Sequence, residues 1–407
     1  MSQLEIYYGD SLVGVFGLTP QADYYVKYAD SWMESGFSIS AHIPKEQKYH
    51  EGRLVEYYVE NLLPEAELRQ AIARRHGVSE NNYFSLMQII GRDCAGAFSL
   101  GAPQSAGQYE KLPPDELRQL LHNLPQYPMA ANRKGASFSL AGAQNKIPLH
   151  KSDTEYSLPL YGAASNCIIK TPMRHAGCSV PNELFCMQLA SKVLASVALT
   201  EYLPLGEDSS LVVHRYDRAT RNGHLVRLPQ EDFCQLSGLP SRLKYESEGG
   251  PGFATCATHI RQYCAVHAPH LMRMLHWTIF NLCIGNMDAH AKNLSLLTEE
   301  SGKVLAPFYD MVCTLYYEEF STDLAMSIGG RSNPDKIGVE QWKNFAQDIG
   351  MPEKLVLQEA DKTIRRIIDK LPETAEEVSS IVPQKLFIQD LRKFILNRCV
   401  LLLRKLH

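Results

Sequence analysis

Gly285-Asn286-Met287-Asp288-Ala289-His290-Ala291-Lys292-Asn293 is the stretch on which the reading of this chain turns. Asp288 and Asn293 stand five positions apart, with the basic Lys292 between them. Upstream, Leu271, Met274, Leu275, Thr278, Ile279, Leu282 and Cys283 recur at helical spacing, which predicts an amphipathic or buried helix over 270–284. Gly285 falls where such a helix should end. Downstream, Leu294–Leu297 and Val304–Ala306 are short apolar runs joined by Glu299-Glu300-Ser301-Gly302, a pattern that predicts a hairpin. Pro307-Phe308-Tyr309-Asp310 follows directly.

The Asp-x-x-x-x-Asn spacing is that of a kinase catalytic loop. There the Asp accepts the proton of the attacking hydroxyl and the Asn ligates Mg2+ on the nucleotide phosphates. A helix, an acidic loop, a hairpin and a second Asp also follow in that order in a kinase C-lobe. In that order Asp310 takes the place of the metal-binding Asp of the Asp-Phe-Gly motif. By itself the loop suits a plainer reading too, in which Asp288 caps a turn and Asn293 starts a strand, because short motifs recur by chance.

The chain of 407 residues has room for two or three domains. Its 45% apolar and 21% charged residues describe an ordinary globular protein. A net charge of −4 gives no whole-protein attraction to nucleic acid or anionic membrane. No apolar run is long enough for a membrane-spanning helix, and Met1–Glu5 lacks the basic and apolar regions of a signal peptide. The ten cysteines form no Cys-x-x-Cys pair, and Cys186, Cys283 and Cys399 lie inside apolar segments, so a reducing, cytoplasmic compartment is expected.

From the start, Leu4–Tyr8 and Leu12–Phe16 read as a hairpin around Gly9-Asp10. Helical patterns follow over Val55–Leu63, ended by Pro64, and over Glu65–His76, and Phe98–Leu100 reads as a strand. The run Gly101–Gly107 marks a boundary, and a short helix is expected around Asp115–Asn123. In Ser139-Leu140-Ala141-Gly142-Ala143-Gln144-Asn145-Lys146, small residues at 141–143 would let backbone N–H groups approach a phosphate, and Lys146 adds positive charge. A Gly-containing turn between strands fits the same stretch.

Asn166–Lys170 reads as a strand ending in a lysine, which is either an exposed strand end or the lysine that holds nucleotide phosphates. Val180-Pro181-Asn182-Glu183 opens a helix with Pro in its first turn. Glu183 there either serves the helix dipole or pairs with Lys170. Leu211–Val213 is another strand, passing into His214-Arg215-Tyr216-Asp217-Arg218, where a kinase linker would hold adenine. Lys244–Gly252 is an acidic, Gly-rich loop, ill-suited to phosphate. Residues 384–406 carry six Lys/Arg against one acid, Asp390, opposite an apolar face of Phe387, Leu391, Phe394 and Ile395. That basic face is either solvated or a contact for an acidic partner or DNA.

Taken in order, these motifs resemble the HipA family of kinase toxins from HipA–HipB toxin–antitoxin systems. The matching stretches are Ser139–Lys146, Cys167–Pro172, Asn182–Cys186, Val213–Arg218, Leu228–Gln235, Asp288–Asn293 and Pro307–Asp310. The resemblance implies an α+β, bilobal protein-kinase-like fold. Residues 1–105 would be an N-terminal α/β subdomain, 106–217 a kinase N-lobe and 218–407 a mostly helical C-lobe. It also implies ATP and Mg2+ as cofactors and a serine on an aminoacyl-tRNA synthetase, best known for glutamyl-tRNA synthetase, as substrate, with growth arrest as the result.

Carried over by position, Ser139 would be autophosphorylated and Ala141, Gly142, Ala143, Gln144, Asn145 and Lys146 would cradle phosphate. Lys170 would hold the α- and β-phosphates, and His214, Arg215 and Tyr216 the adenine. Asp288 would take the substrate proton, Asn293 and Asp310 would bind Mg2+, and His290, Ala291, Lys292 and Tyr309 would line the ATP site. The implied partner is a HipB-like helix-turn-helix antitoxin, through which the complex would reach operator DNA. Asn145 and His214 depart from the best-known member, which has Glu at both places. Two rival functions share the loop: a small-molecule phosphotransferase, and a catalytically silent co-repressor that bridges antitoxin dimers.

Overall fold

The computed structural model describes residues 2–124, 134–142, 144–173, 175–205 and 208–407. The chain divides into two compact units. One comprises Met1–Thr171, Val212–Ser241 and Leu297–Glu299; the other Pro172–Leu211, Arg242–Leu296 and Glu300–His407. In the second unit the helix Ser179–Val193 packs on the C-terminal helix Glu353–Ile381. Lys192 meets Glu373 and Glu377 at 2.7 Å, and Arg366 donates to the Lys192 carbonyl at 2.8 Å.

In the first unit, Gln3–Tyr8 and Ser11–Leu18 form the expected hairpin, with Tyr8 opposite Ser11. The two-residue turn requires a left-handed first position, and Gly9 supplies it with φ of +57°. Tyr24–Tyr28, Tyr49–Glu51 and Ser99–Leu100 complete a five-stranded sheet. The helices Arg53–Glu60, Ala66–His76 and Tyr83–Ile90 accompany it. The expected helix near 115–123 is present as Pro114–Asn123.

A second sheet carries the phosphate-side candidates. Gln108–Leu112 pairs with Glu155–Leu160, which pairs with Lys146–Ser152, which pairs with Cys167–Lys170, all antiparallel. Only the last of these strands was expected. Pro148 and Pro159 break the strand pattern of two others, since proline removes a ladder donor. Both are nonetheless accommodated, Pro148 opposite Ile168 and Pro159 opposite Tyr109. Ile147, Leu149 and Leu158 are fully buried beneath them.

The second unit is built on the helix His267–Ile284, whose Met274, Leu275, Trp277, Ile279 and Phe280 are buried. Each such side chain contributes about 1.5–3 kcal/mol by leaving water. The helix ends where the sequence placed its end: Gly285 takes φ of +75°, and Arg398 from the helix Lys385–Leu406 caps the Leu282 carbonyl at 2.9 Å. One cation of the basic C-terminal helix is thereby spent on the fold. Among the described residues, no helix is long and apolar enough to cross a membrane.

Candidate active site

The loop that follows Gly285 is held by nearly every polar group it offers. Asn286 bridges backward to Asn281 Oδ1 at 2.8 Å and forward, accepting from the Asp288 N–H at 3.1 Å. Thr314 Oγ1 accepts from the Met287 N–H at 2.7 Å, and the Leu315 N–H donates to the Gly285 carbonyl at 2.9 Å. The Met287 carbonyl accepts from Ala325 at 3.0 Å. Out of this pinned segment Asp288 emerges exposed, between the buried Met287 and Ala289. Its Oδ1 accepts a hydrogen bond from the Tyr245 hydroxyl at 2.7 Å.

The chain then turns tightly through Ala291–Asn293. Asn293 Oδ1 accepts from the His290 N–H at 3.0 Å, which locks the turn, and Asn293 Nδ2 donates to Asp310 Oδ2 at 3.0 Å. The Tyr309 hydroxyl donates to the Lys292 carbonyl at 2.6 Å and lies 3.0 Å from Ser295 Oγ. Tyr309 therefore braces the loop from the protein side. His290, Lys292 and Asn293 are all buried.

Asp310 adopts φ of +59°, a left-handed conformation costly for a residue with a Cβ. Contacts on both sides impose it. Phe308 is paired to Ser196 at 3.0 Å and to Ala198 at 2.8 Å. Beyond Asp310, the side chain of Asn182 donates to the Cys313 carbonyl at 3.0 Å and accepts from its N–H at 2.9 Å.

The donor set suits a hard divalent cation. Mg2+ is usually held by one or two carboxylates, with substrate phosphates and water completing its shell. Asp310 supplies a carboxylate; Asn293 turns its amide nitrogen to that carboxylate and its oxygen to the His290 N–H, so its oxygen would join an ion only after the amide turned over. Among the described residues, no group of three or more His, Cys, Asp or Glu could hold a metal by protein alone. An ion completed by a nucleotide fits this pair better than a resident ion.

The other candidates lie in the strand-rich unit. Ser139 is fully buried, its N–H donating to the Asp93 carbonyl at 3.0 Å and its hydroxyl to the Leu62 carbonyl at 2.6 Å. Gly142 takes φ of +104°, and a Cβ there would come within 2.6 Å of Lys146 Nζ, which itself bonds the Ala141 carbonyl. Glycine thus lets the lysine fold over the loop. Gln144 and Asn145 are tied to Thr171, through Gln144 Nε2 at 3.0 Å and the Asn145 carbonyl at 3.2 Å. Register sets Lys146 directly opposite Lys170, which puts both on one face of the sheet. Ala143 lies outside the described residues.

At 214–216 the structure narrows the expectation. The Arg215 guanidinium is engaged with Asp217 at 2.7 Å, Ser165 at 3.0 Å and the Cys94 carbonyl at 2.8 Å, so only its main chain can face a ligand. Tyr216 donates its hydroxyl to Gln230 at 2.5 Å. Arg215, Arg218 and Arg227 surround Asp93 in a fully buried cluster. Burial pushes the Asp93 carboxyl up, but the three guanidinium groups overcome it and hold it well below the usual range. Asp217 is drawn down to about 2, burial again being outweighed by Arg215 and Arg218.

Glu183 is buried as the fifth residue of Ser179–Val193, past the first turn. The dipole role expected from a first-turn position is therefore corrected: the helix starts earlier, because Cys178 takes the left-handed conformation and Ser179 begins the turn. Lys170 belongs to the other unit.

A model of the HipA-like C-terminal domain matches residues 138–377, and one of the HipA N-terminal domain matches residues 4–101. The chain belongs to the HipA family of kinases. It is 36% identical to a Sinorhizobium fredii protein named as a candidate kinase, Y4mE, over 93% of this chain and 91% of that one. It is 30% identical to the serine/threonine-protein kinase toxin HipA of Shewanella oneidensis, over 97% of this chain and 95% of the relative. The solved complex of Shewanella oneidensis HipA with HipB and operator DNA contains a chain that superposes with a TM-score of 0.86. That match is at 28% identity and covers 99% of this chain and 98% of its counterpart. The α+β kinase-like fold expected from the motifs is the fold of this HipA chain.

Sequence reasoning did not find Tyr245, Asn182 or Thr314, whose partners are remote in sequence. The only signal for Tyr245 was its place in a Gly-rich loop that phosphate would not favour.

Proposed function

We propose that the chain is a Mg2+-ATP-dependent serine/threonine kinase and the toxin of a toxin–antitoxin pair. The observation that carries this is the Asn293–Asp310 contact beside an exposed Asp288. In this reading the proton acceptor Asp288 and the cation ligand Asn293 share one braced loop, and Asp310 is bonded to its end. The Shewanella oneidensis relative, named as a kinase toxin, and the HipB and operator DNA that accompany its homologue support the biological setting. The proposed substrate is a serine of an aminoacyl-tRNA synthetase, glutamyl-tRNA synthetase first, and the proposed regulator is a HipB-like antitoxin.

In this reading Asp288 accepts the proton as the substrate hydroxyl oxygen bonds to the γ-phosphorus and the bond to the β,γ-bridging oxygen breaks. Asn293 and Asp310 would hold Mg2+, which neutralises charge on the phosphates when bound. Lys170 and Lys146 would take the phosphate oxygens, and the main chain of 214–216 would take the base. Positioning and charge neutralisation, rather than covalent chemistry, supply the rate. Ser139 would be autophosphorylated. Because it is fully buried against Leu62 and Asp93, its phosphorylation requires the loop to leave that position, and the added dianion would oppose return.

Intact-mass analysis with and without Mg2+-ATP, beside Asp288→Ala, tests the reading. One phosphate on the wild type alone, mapped to Ser139, is expected. An unphosphorylated protein that gains no mass would instead favour a silent co-repressor.

A further inference from the structure

Tyr245 precedes Asp288 by 43 residues, yet its hydroxyl is the one side-chain donor to the Asp288 carboxylate among the described residues. The placement is built. The Tyr245 carbonyl accepts from the N–H groups of Glu248 at 3.1 Å and Gly250 at 2.9 Å, closing a small strap. A Cβ at Gly250 would come within 2.2 Å of the Leu243 carbonyl oxygen, so only glycine lets the strap close. Glu246 donates its N–H to the Ala325 carbonyl at 3.1 Å, and its carboxylate accepts from the Ser327 N–H. Ala325 in turn donates to the Met287 carbonyl. Residues 245–246 are thus tied to 287–288 twice, once through Ala325 and once through the phenol.

The ring does not need its hydroxyl to stay in place. It packs edge-on against His290, centroids 5.4 Å apart, and Lys244 Nζ lies 5.3 Å from its centre. The hydroxyl's hydrogen bond goes to Asp288. A carboxylate at the end of an exposed side chain turns broadly about its last torsion, so neither oxygen has a fixed aim. A donor on Oδ1 fixes the plane and leaves Oδ2 to accept.

We infer that Tyr245 is a positioning residue for Asp288, holding Oδ1 so that Oδ2 meets the substrate hydroxyl. The inference rests on the reading of Asp288 as the proton acceptor.

The test is Tyr245→Phe in the full chain, with kcat and KM for ATP from steady-state phosphotransfer read beside the melting point. Loss of one charge-assisted hydrogen bond should lower kcat by about tenfold or more, with KM for ATP and the melting point unchanged. An unmoved kcat would overturn the inference. So would a raised kcat, which would make Tyr245 a plug on the base, or a lowered melting point with KM and kcat altered together. A wild type that transfers no phosphate would defeat the kinase reading and this role with it, whereas a failure confined to Tyr245→Phe leaves that reading standing.

Discussion

The side-chain amide of Asn293 donates to Asp310 Oδ2 at 3.0 Å, joining the end of the 285–293 loop to a residue 17 positions later whose backbone is left-handed. The amide nitrogen is taken by the carboxylate and Oδ1 by the His290 N–H, so the orientation of Asn293 is fixed from two sides. Asp310→Asn would turn an acceptor into a mixed group and weaken the proposed cation site without changing side-chain volume. Phosphotransfer should fall by about 100-fold or more, in line with the loss of a charge-stabilising group in an active site. Radiolabel transfer to the protein, measured beside an unchanged melting temperature, would check it.

Ser139 offers a second test. Ser139→Asp places a carboxylate where the wild type buries a hydroxyl against the Leu62 carbonyl. An unpaired buried charge costs about 3–5 kcal/mol, so the loop should abandon the position. Hydrogen exchange over 134–142 should accelerate and ATP affinity by calorimetry should fall, while Ser139→Ala keeps both near wild type. Unchanged binding by the Asp variant would count against a self-limiting loop.

The buried ion cluster of the strand-rich unit should be acid-sensitive. Asp217 has its carboxyl lowered from 3.8 to about 2, and Asp93 is held lower still. For depressed carboxyls the stabilisation is complete above the unfolded value and lost as pH falls through the folded one. Melting temperature should therefore drop steeply between about pH 4 and pH 2. Asp93→Asn leaves three arginines facing an amide and should cost about 3–5 kcal/mol at neutral pH, with a shallower acid slope. Thermal scans from pH 2 to pH 7 would show it.

Gly285→Ala tests the coupling of helix end to catalytic loop. Its φ of +75° disfavours any Cβ, and that Cβ would lie 3.1 Å from the Leu315 Cβ and 3.2 Å from Arg398 Nε. Stability should fall by about 1–2 kcal/mol from the left-handed conformation alone. Urea denaturation measures this, and a kcat loss beyond the folded fraction would locate the strain at Asp288.

The helix before Asp288, its stop at Gly285 and the order of loop, hairpin and second Asp were legible because each is written locally, as period, glycine and spacing. The same holds for Pro181 near the start of its helix. Other features were not local. Asp93 meets Arg215, Arg218 and Arg227 across more than a hundred residues, and no pattern around any of them announces an ion cluster. The strands Lys146–Ser152 and Glu155–Leu160 hid behind their prolines. Glu183 looked like a first-turn acid because the left-handed Cys178 that starts the helix has no sequence signature. Tyr245 read as part of a polar loop, since only the folded chain brings it to Asp288.

The clamp of Asn182 on Cys313 bears on what this position can tolerate. The side chain imitates a neighbouring strand for a single residue, offering donor and acceptor together from a short, fully buried stem. Asp lacks the donor, Gln is a carbon too long, and Leu lacks both. Asn182 is then a one-letter position: a mutational library read out by phosphotransfer should return asparagine there and little else, because its amide is taken up by Cys313 and the Tyr317 hydroxyl.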